Sequence, residues 1–198
     1  MIIKSAEFIN SCASEKDYAA ISLPVIAVAG KSNVGKSSFI NMLTGSGKLA
    51  RVSKEAGRTR LVNLFDISGQ FILADLPGWG YSAAGKSVTT DFGALTESFL
   101  KSVNGAGKLK HIFMLVDIRH EPGDADKQML SFMYRLQIPF TVLAMKCDKL
   151  SGAKINPQID VIAAALGLGR GNIIPVSSLT KAGKADVLKR IGDLFTIQ

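Results

Sequence analysis

Cysteine is scarce in this chain of 198 residues: only Cys12 and Cys147 occur, far apart. That pair supplies neither a disulfide framework nor the ligand quartet of a structural metal. Aromatic residues are also few, at 7% against a hydrophobic content of 47%, a balance that suits an ordinary α/β interior. No run approaches the ~18 consecutive apolar residues that span a bilayer. The start, Met1-Ile2-Ile3-Lys4-Ser5-Ala6-Glu7, lacks the layout of a signal peptide. The expectation is a soluble, cytoplasmic, single-domain protein over residues 1–198 with reduced thiols and no membrane partner. Acid is the scarcer charge, 16 Asp and Glu against 24 Lys and Arg, leaving a net charge of +8. The excess is uneven. Lys48, Arg51, Lys54, Arg58 and Arg60 crowd one stretch against Glu55, and Lys181, Lys184, Lys189 and Arg190 form a second group. Such clusters point to RNA or another polyanion, the plain alternative being a solvated surface.

What the chain does contain is Gly30-Lys31-Ser32-Asn33-Val34-Gly35-Lys36-Ser37, a match to G-x-x-x-x-G-K-[ST]. Before it lies Pro24–Ala29, short, apolar and β-branched like a fully buried strand. After it, Phe39, Ile40 and Leu43 fall on one helical face that Gly45 stops. Strand, glycine loop and helix N-terminus make a nest of backbone N–H groups for a polyphosphate. In that arrangement Lys36 reaches the β- and γ-phosphates and the Ser37 hydroxyl meets Mg²⁺.

The rest of the chain reads as an α/β alternation. Ile2–Ile9 is a short candidate strand within an N-terminal extension, residues 1–22, and Asn10–Ala20 reads as a connection. Gly45–Arg60 is a long basic loop, a length that is uncommon unless functional. Leu61–Ile67 and Gln70–Ala74, separated by Ser68-Gly69, predict an antiparallel hairpin. Val88, Phe92, Leu95, Phe99 and Val103 keep helical spacing. Strands over His111–Val116, Ile138–Met145 and Asn172–Val176 alternate with helices marked by Met129–Leu136, by Ile159–Leu166 and by Val187–Leu194. Asn156-Pro157 reads as N-cap and N1 of the second of these. This pattern predicts a mostly parallel sheet with helices on both faces and its functional loops along one edge.

Four further loops belong at that edge. Thr59, with Gly57 in Gly57-Arg58-Thr59-Arg60, offers a hydroxyl to complete a Mg²⁺ shell when a γ-phosphate is present. Asp75-Leu76-Pro77-Gly78 follows a strand; its aspartate can hold Mg²⁺ through water, and Gly78 lets a backbone N–H approach the γ-phosphate. Lys146-Cys147-Asp148, with Lys149 after it, follows another strand. A carboxylate there accepts from guanine N1–H and the exocyclic amine, and adenine leaves it unpaired. Val176-Ser177-Ser178 covers the base.

This ordered set resembles the translation-factor-related P-loop GTPases and, within them, the EngB (YihA/YsxC) family of bacterial GTP-binding proteins. Gly30–Ser38, Gly57–Arg60, Asp75-Leu76-Pro77-Gly78-Trp79-Gly80-Tyr81, Asp117-Ile118-Arg119-His120 and Lys146-Cys147-Asp148-Lys149-Leu150 carry the match, which runs from about Ser22 to Phe195. The resemblance implies a Ras-like G domain, α/β, mostly parallel with one antiparallel edge hairpin. It further implies a GTPase that binds GTP and GDP, assists assembly of the large ribosomal subunit through rRNA or ribosomal proteins, and bears on cell division and septation; with no obvious dimer surface in the sequence, a monomer is the default expectation. Its nucleotide contacts fall on residues 30–38, Gly57, Thr59, Asp75, Gly78, Lys146, Asp148, Lys149 and residues 176–178, with Lys36, Thr59 and Gly78 at the reacting phosphate.

Two departures stand out. Met145 takes the place of the family's Thr, or the Asn of other GTPases, a side chain that ties the base loop to the phosphate loop; weaker nucleotide affinity follows. Trp79 replaces the family's usual Tyr, at a position where many GTPases place a water-orienting glutamine, which predicts slow intrinsic hydrolysis. Asn33 resembles the asparagine with which related GTPases bind K⁺, so activation by K⁺, by a ribosomal partner, or by both is expected. Arg58 or Arg60 serves either as an arginine finger in cis or as an RNA phosphate contact. The competing readings are a P-loop kinase acting on a metabolite and a nucleotide-stabilised RNA-binding module without turnover. A lipid-anchored GTPase is disfavoured by the cysteine-free end Phe195-Thr196-Ile197-Gln198.

Overall fold

The computed structural model describes residues 1–50, 61–79 and 93–196. In chain order its strands are β1 (Ala6–Cys12), β2 (Val25–Gly30), β3 (Val62–Ile67), β4 (Phe71–Asp75), β5 (Leu109–Asp117), β6 (Phe140–Met145) and β7 (Ile173–Val176). The helices are α1 (Lys36–Thr44), α2 (Ala94–Gly105), α3 (Asp124–Arg135), α4 (Gly152–Leu166) and α5 (Lys184–Thr196). The strands form one sheet in the order β1-β3-β4-β2-β5-β6-β7. β2 pairs in parallel with β4 and β5, and β5-β6-β7 continue in parallel. β3 is antiparallel to both β4 and β1.

Alternation along each central strand divides the core. Val25, Ala27 and Ala29 of β2, with Ile112, Met114 and Val116 of β5, face α2, α3 and α4 through Phe99, Met129, Met133 and Ile162. Ile26, Val28, Phe113 and Leu115 face α1 and α5 through Phe39, Ile40, Val187 and Ile191. A strand buried on both faces needs apolar residues at every position, which is why β2 is uninterrupted Val-Ile-Ala-Val-Ala-Gly. The hairpin closes through Ser68 (φ 58) and Gly69 (φ 63), both left-handed as a type I′ turn requires.

The expected α/β class, parallel sheet and two helical layers are all present. The N-terminal strand lies outside the hairpin and later in sequence than its hydrophobicity suggests. Asn10–Cys12 belongs to it, across a register shift at Phe8/Asn10, because pairing with Val62–Leu64 satisfies the backbone and Cys12 is fully buried. α4 begins at Gly152, after Ser151, so Pro157 sits inside it and is not N1. Burial overrides the proline signal: Ile155, ahead of Pro157, packs on the same core as Ile159 and Ile162. α2 begins at Ala94; Val88 and Phe92 of the expected helix lie outside the described residues, as do Arg51–Arg60 of the basic loop.

Candidate functional site

Gly30, Asp75, Asp117, Met145 and Val176 end β2, β4, β5, β6 and β7, so their loops gather at one sheet edge, the edge at which open α/β sheets bind ligands. The glycine loop is built by close approach. A Cβ on Gly30 would lie 2.8 Å from the Leu115 carbonyl oxygen and 2.9 Å from Val34 Cγ1. Asn33 (φ 63) and Gly35 (φ 114) turn the chain so that α1 starts at Lys36 with no side chain capping it. The free N–H groups of that first turn, which includes Ser37 and Ser38, are open to an anion.

Lys36 and Asp75 form the charged centre. Lys36 Nζ donates to the Gly30 carbonyl at 3.2 Å. Burial pushes its pKa down, with the Asp75 charge opposing. Asp75 is 4% exposed; burial raises its pKa to about 6, against the pull of Lys36 and a hydrogen bond from Asn63. One oxygen, Asp75 Oδ1, has no partner among the described residues. A buried carboxylate oxygen left open beside the first turn of α1 is chemistry that suits a divalent cation.

Gly78 closes over this centre. The Ser32 N–H donates to the Trp79 carbonyl at 2.9 Å, and the Ser32 hydroxyl to the Gly78 carbonyl at 3.4 Å. A Cβ on Gly78 would come within 2.7 Å of Lys36 Nζ and 3.0 Å of the Ser32 nitrogen, so glycine is needed for space rather than for φ.

Farther along the edge, Lys146 (φ 64) bridges two segments: Nζ donates to the Asn33 carbonyl at 3.0 Å and to Asp117 Oδ2 at 2.9 Å. Arg119 donates to both oxygens of Asp117. Burial alone would raise Asp117, but these hydrogen bonds outweigh it and hold the acid well below the carboxylate range. The Ser177 hydroxyl donates to Asp148 Oδ1 at 2.6 Å, which with other donors keeps Asp148 ionised. Ser177 Oγ in turn accepts from the Leu179 and Thr180 N–H groups. Lys149 Nζ stands 3.7 Å from Asp148, and Ser178 Oγ is buried without a partner among the described residues. Val176 is fully buried.

The structure therefore brings residues 30–38, Asp75, Gly78, Lys146, Asp148, Lys149 and residues 176–178 to one edge. Gly57, Arg58, Thr59 and Arg60 lie outside the described residues. The Met145 side chain makes no polar tie among the described residues. It is buried in the α1–α5 layer with Val34, and its Cε would stand 4.0 Å from a Cβ on Gly35, so the base loop meets the phosphate loop by packing. Sequence reasoning missed two residues. Asp117 was noticed only through the resemblance, without its task of holding Lys146. Asp126 was not noticed at all; it lies buried in α3 against Lys31 and Trp79. A charged residue in the first turn of a helix was the one available signal, and capping explains most such residues.

Comparison with known proteins agrees with this geometry. Residues 25–146 match the family described as 50S ribosome-binding GTPases. The "Probable GTP-binding protein EngB" of Pelobacter propionicus is 40% identical over 191 residues, 96% of this chain and 94% of that protein. That of Clostridium perfringens is 40% identical over 194 residues, 98% and 97% of the two chains. Among solved structures, a probable GTP-binding protein EngB superposes with a TM-score of 0.69 at 24% identity, over 88% of this chain and 100% of that one. Aquifex aeolicus Era bound to GDP and AlF4⁻ superposes at 0.66 with 26% identity, over 86% and 56%. With near full-length relatives and a phosphate loop at the edge of a Ras-like sheet, this chain belongs to the EngB family of GTP-binding proteins and is a P-loop GTPase.

Proposed function

We propose that the chain is a GTP-driven switch that assists assembly of the large ribosomal subunit, acting as a monomer in the cytoplasm. The observation that carries the nucleotide assignment is the Ser177–Asp148 bond of 2.6 Å at the sheet edge shared with Gly30–Ser37. It fixes an ionised carboxylate, suited to the paired donors of guanine and mismatched to adenine. Val176 and Ser178 shape the wall beside the base, and Lys149 flanks Asp148. The backbone of residues 31–38 holds the phosphates, Lys36 carries its charge to the β- and γ-groups, and Gly78 turns its N–H to the γ-phosphate. Ser37, Thr59 and, through water, Asp75 are the residues that would hold Mg²⁺, which when bound neutralises charge developing on the phosphates. The reading also assigns nucleotide contacts to Gly57 and Thr59, which lie outside the described residues.

The large-subunit assignment rests on the 50S ribosome-binding description of the matched family and on the +8 charge of the chain. No described helix is long and apolar enough to cross a membrane. Co-sedimentation with isolated ribosomal subunits at low salt tests it. Association with the large subunit should appear with a non-hydrolysable GTP analogue and weaken with GDP; equal pelleting in both states, or none, removes the assembly role.

The indole of Trp79 donates to Asp126 and cannot orient water, so intrinsic hydrolysis is slow in this reading. The exposed Asn33 side chain makes no hydrogen bond among the described residues, which suits a K⁺ ligand. Turnover should rise when K⁺ replaces Na⁺ or when large subunits are added. Rates that are unchanged in both cases would rule this out.

A further inference from the structure

Asp126 is 3% exposed, stands in the first turn of α3, and has no part in the chemistry above. Its carboxylate joins three segments. Oδ2 accepts from the Gly123 N–H at 3.0 Å and lies 3.1 Å from Lys31 Nζ. Oδ1 accepts from Trp79 Nε1 at 3.3 Å. A helix cap needs only the Gly123 bond, and an exposed carboxylate would make it without desolvation. Burying the charge instead brings in the second residue of the phosphate loop and the residue that follows Gly78.

The backbone ties the same two segments again. Lys31 and Trp79 form a parallel bridge, the Trp79 carbonyl accepts from Ser32, and the space around Gly78 is so close that a Cβ would press on Lys36 Nζ. Gly78 thus rests on the ammonium that a γ-phosphate also has to reach. Its height there is set on one side by Ser32 and on the other by the indole anchored to Asp126. Trp79 is the next residue, so any movement of Gly78 that admits a γ-phosphate acts directly on the Trp79–Asp126 bond.

We propose that Asp126 is a positioning residue for GTP hydrolysis. Through Trp79 and Lys31 it sets where Gly78 stands over Lys36, and so links the state of the γ-phosphate to α3. The inference rests on the nucleotide reading above. Because the chain contains a single tryptophan, Trp79, its emission reports the contact without a label.

The test uses the full chain with Mg²⁺ and either GDP or a non-hydrolysable GTP analogue, comparing wild type, Asp126→Ala, Asp126→Asn and Lys31→Met. Wild-type emission should differ between the two nucleotides. Asp126→Ala should abolish that difference and lower kcat on the order of tenfold, as expected for loss of a buried charged hydrogen bond, with GDP affinity held within about twofold. Asp126→Asn keeps an acceptor for the indole and should retain part of the emission difference; Lys31→Met should lie between it and wild type. Wild-type kcat and a wild-type emission difference in Asp126→Ala would overturn the proposal. So would a parallel loss of GDP affinity, kcat and melting temperature in both Asp126 variants, since that marks a purely structural cap. Failure of wild type to bind either nucleotide is a separate result: it refutes the nucleotide reading itself and takes this inference with it.

Discussion

The phosphate loop has two sides, and they treat charge in opposite ways. On the ligand side, half-buried Lys36 and buried Asp75 are both under-satisfied. The lysine has one carbonyl at 3.2 Å, and Asp75 Oδ1 has no partner among the described residues. On the reverse side two acids are fully engaged: Asp117 by Arg119 and Lys146, Asp126 by Gly123, Trp79 and Lys31. A native protein seldom leaves a buried oxygen unpaired without a use for it. The contrast separates roles within one loop. Open valence on the front is capacity held for a ligand, and saturated pairs on the back are braces that keep the loop in shape.

The largest effect that could break this contrast comes from the front. Lys36→Met removes the only charge the loop itself carries to the phosphates. Turnover should fall by about 10³ or more, as when a preorganised charge at a developing anion is lost, while the thermal melt keeps one cooperative transition. If more than a tenth of the turnover survived, the front would not be the charged centre of the reaction. Gly78→Ala comes next. The new methyl would meet Lys36 Nζ and the Ser32 backbone at 2.7–3.0 Å, so one of them has to shift. Because backbone φ at Gly78 places no demand for glycine, the fold should tolerate the change. We expect kcat to drop about 10² with GDP affinity nearly unchanged, the pattern of an interaction made only with the γ-phosphate. Equal losses for GDP and GTP would place Gly78 among the general packing of the loop.

These two sides were not equally legible in the sequence. The front is written in contiguous motifs: Gly30–Ser37 and Asp75–Gly78 have fixed spacing because the backbone itself surrounds the phosphate. Strand and helix identity were also legible, since β2, β5 and β6 are buried on both faces and their composition says so. The back was not. Asp117 and Lys146 are 29 residues apart, and Asp126 and Trp79 are 47 apart, so each brace exists only once parallel strands have brought separate loops together. Met145 shows the same limit. Its side-chain type is plain in the sequence, but the packing it makes depends on which face of β6 lies under Val34. Element ends failed where tertiary burial outweighed a local signal, as at Pro157 and at Asn10–Cys12.

A brace should yield a smaller and differently shaped loss. Asp117→Asn keeps the size of the side chain but weakens its hold on Lys146, which braces the Asn33 carbonyl. Affinity for GDP and GTP should fall together, by about tenfold, the scale of one charge-assisted hydrogen bond, and kcat at saturating GTP should stay within about twofold. Titration calorimetry and single-turnover rates separate the two. A selective loss of kcat would mean that Asp117 acts on the chemistry and that the division between front and back is wrong.

The smallest effect lies away from both sides and decides whether either controls stability with pH. His111 is 3% exposed in β5, with Nε2 2.9 Å from Thr141 Oγ1 and Nδ1 unpartnered among the described residues. Burial, helped by the Arg190 charge, lowers its pKa to about 4 from an ordinary 6.5. The unfolded chain therefore binds a proton at a pH where the folded one does not. Stability is full above pH 6.5, declines as pH falls through the interval, and loses this contribution below about 4. Between pH 7 and 5.5 the His111 contribution should fall by about 1 kcal/mol, partly offset by Asp75, whose pKa of about 6 lets the folded chain take up a proton in the same interval. Asp117 works in the opposite window: its folded pKa is depressed below that of an ordinary carboxylate, so its contribution persists throughout this range and fades only in stronger acid. Denaturant melts at the two pH values should thus show a wild-type decline that His111→Gln flattens and Asp117→Asn leaves in place. If His111→Gln keeps the decline, the proton enters at a group other than His111, and burial of that imidazole is not what makes stability fall with pH.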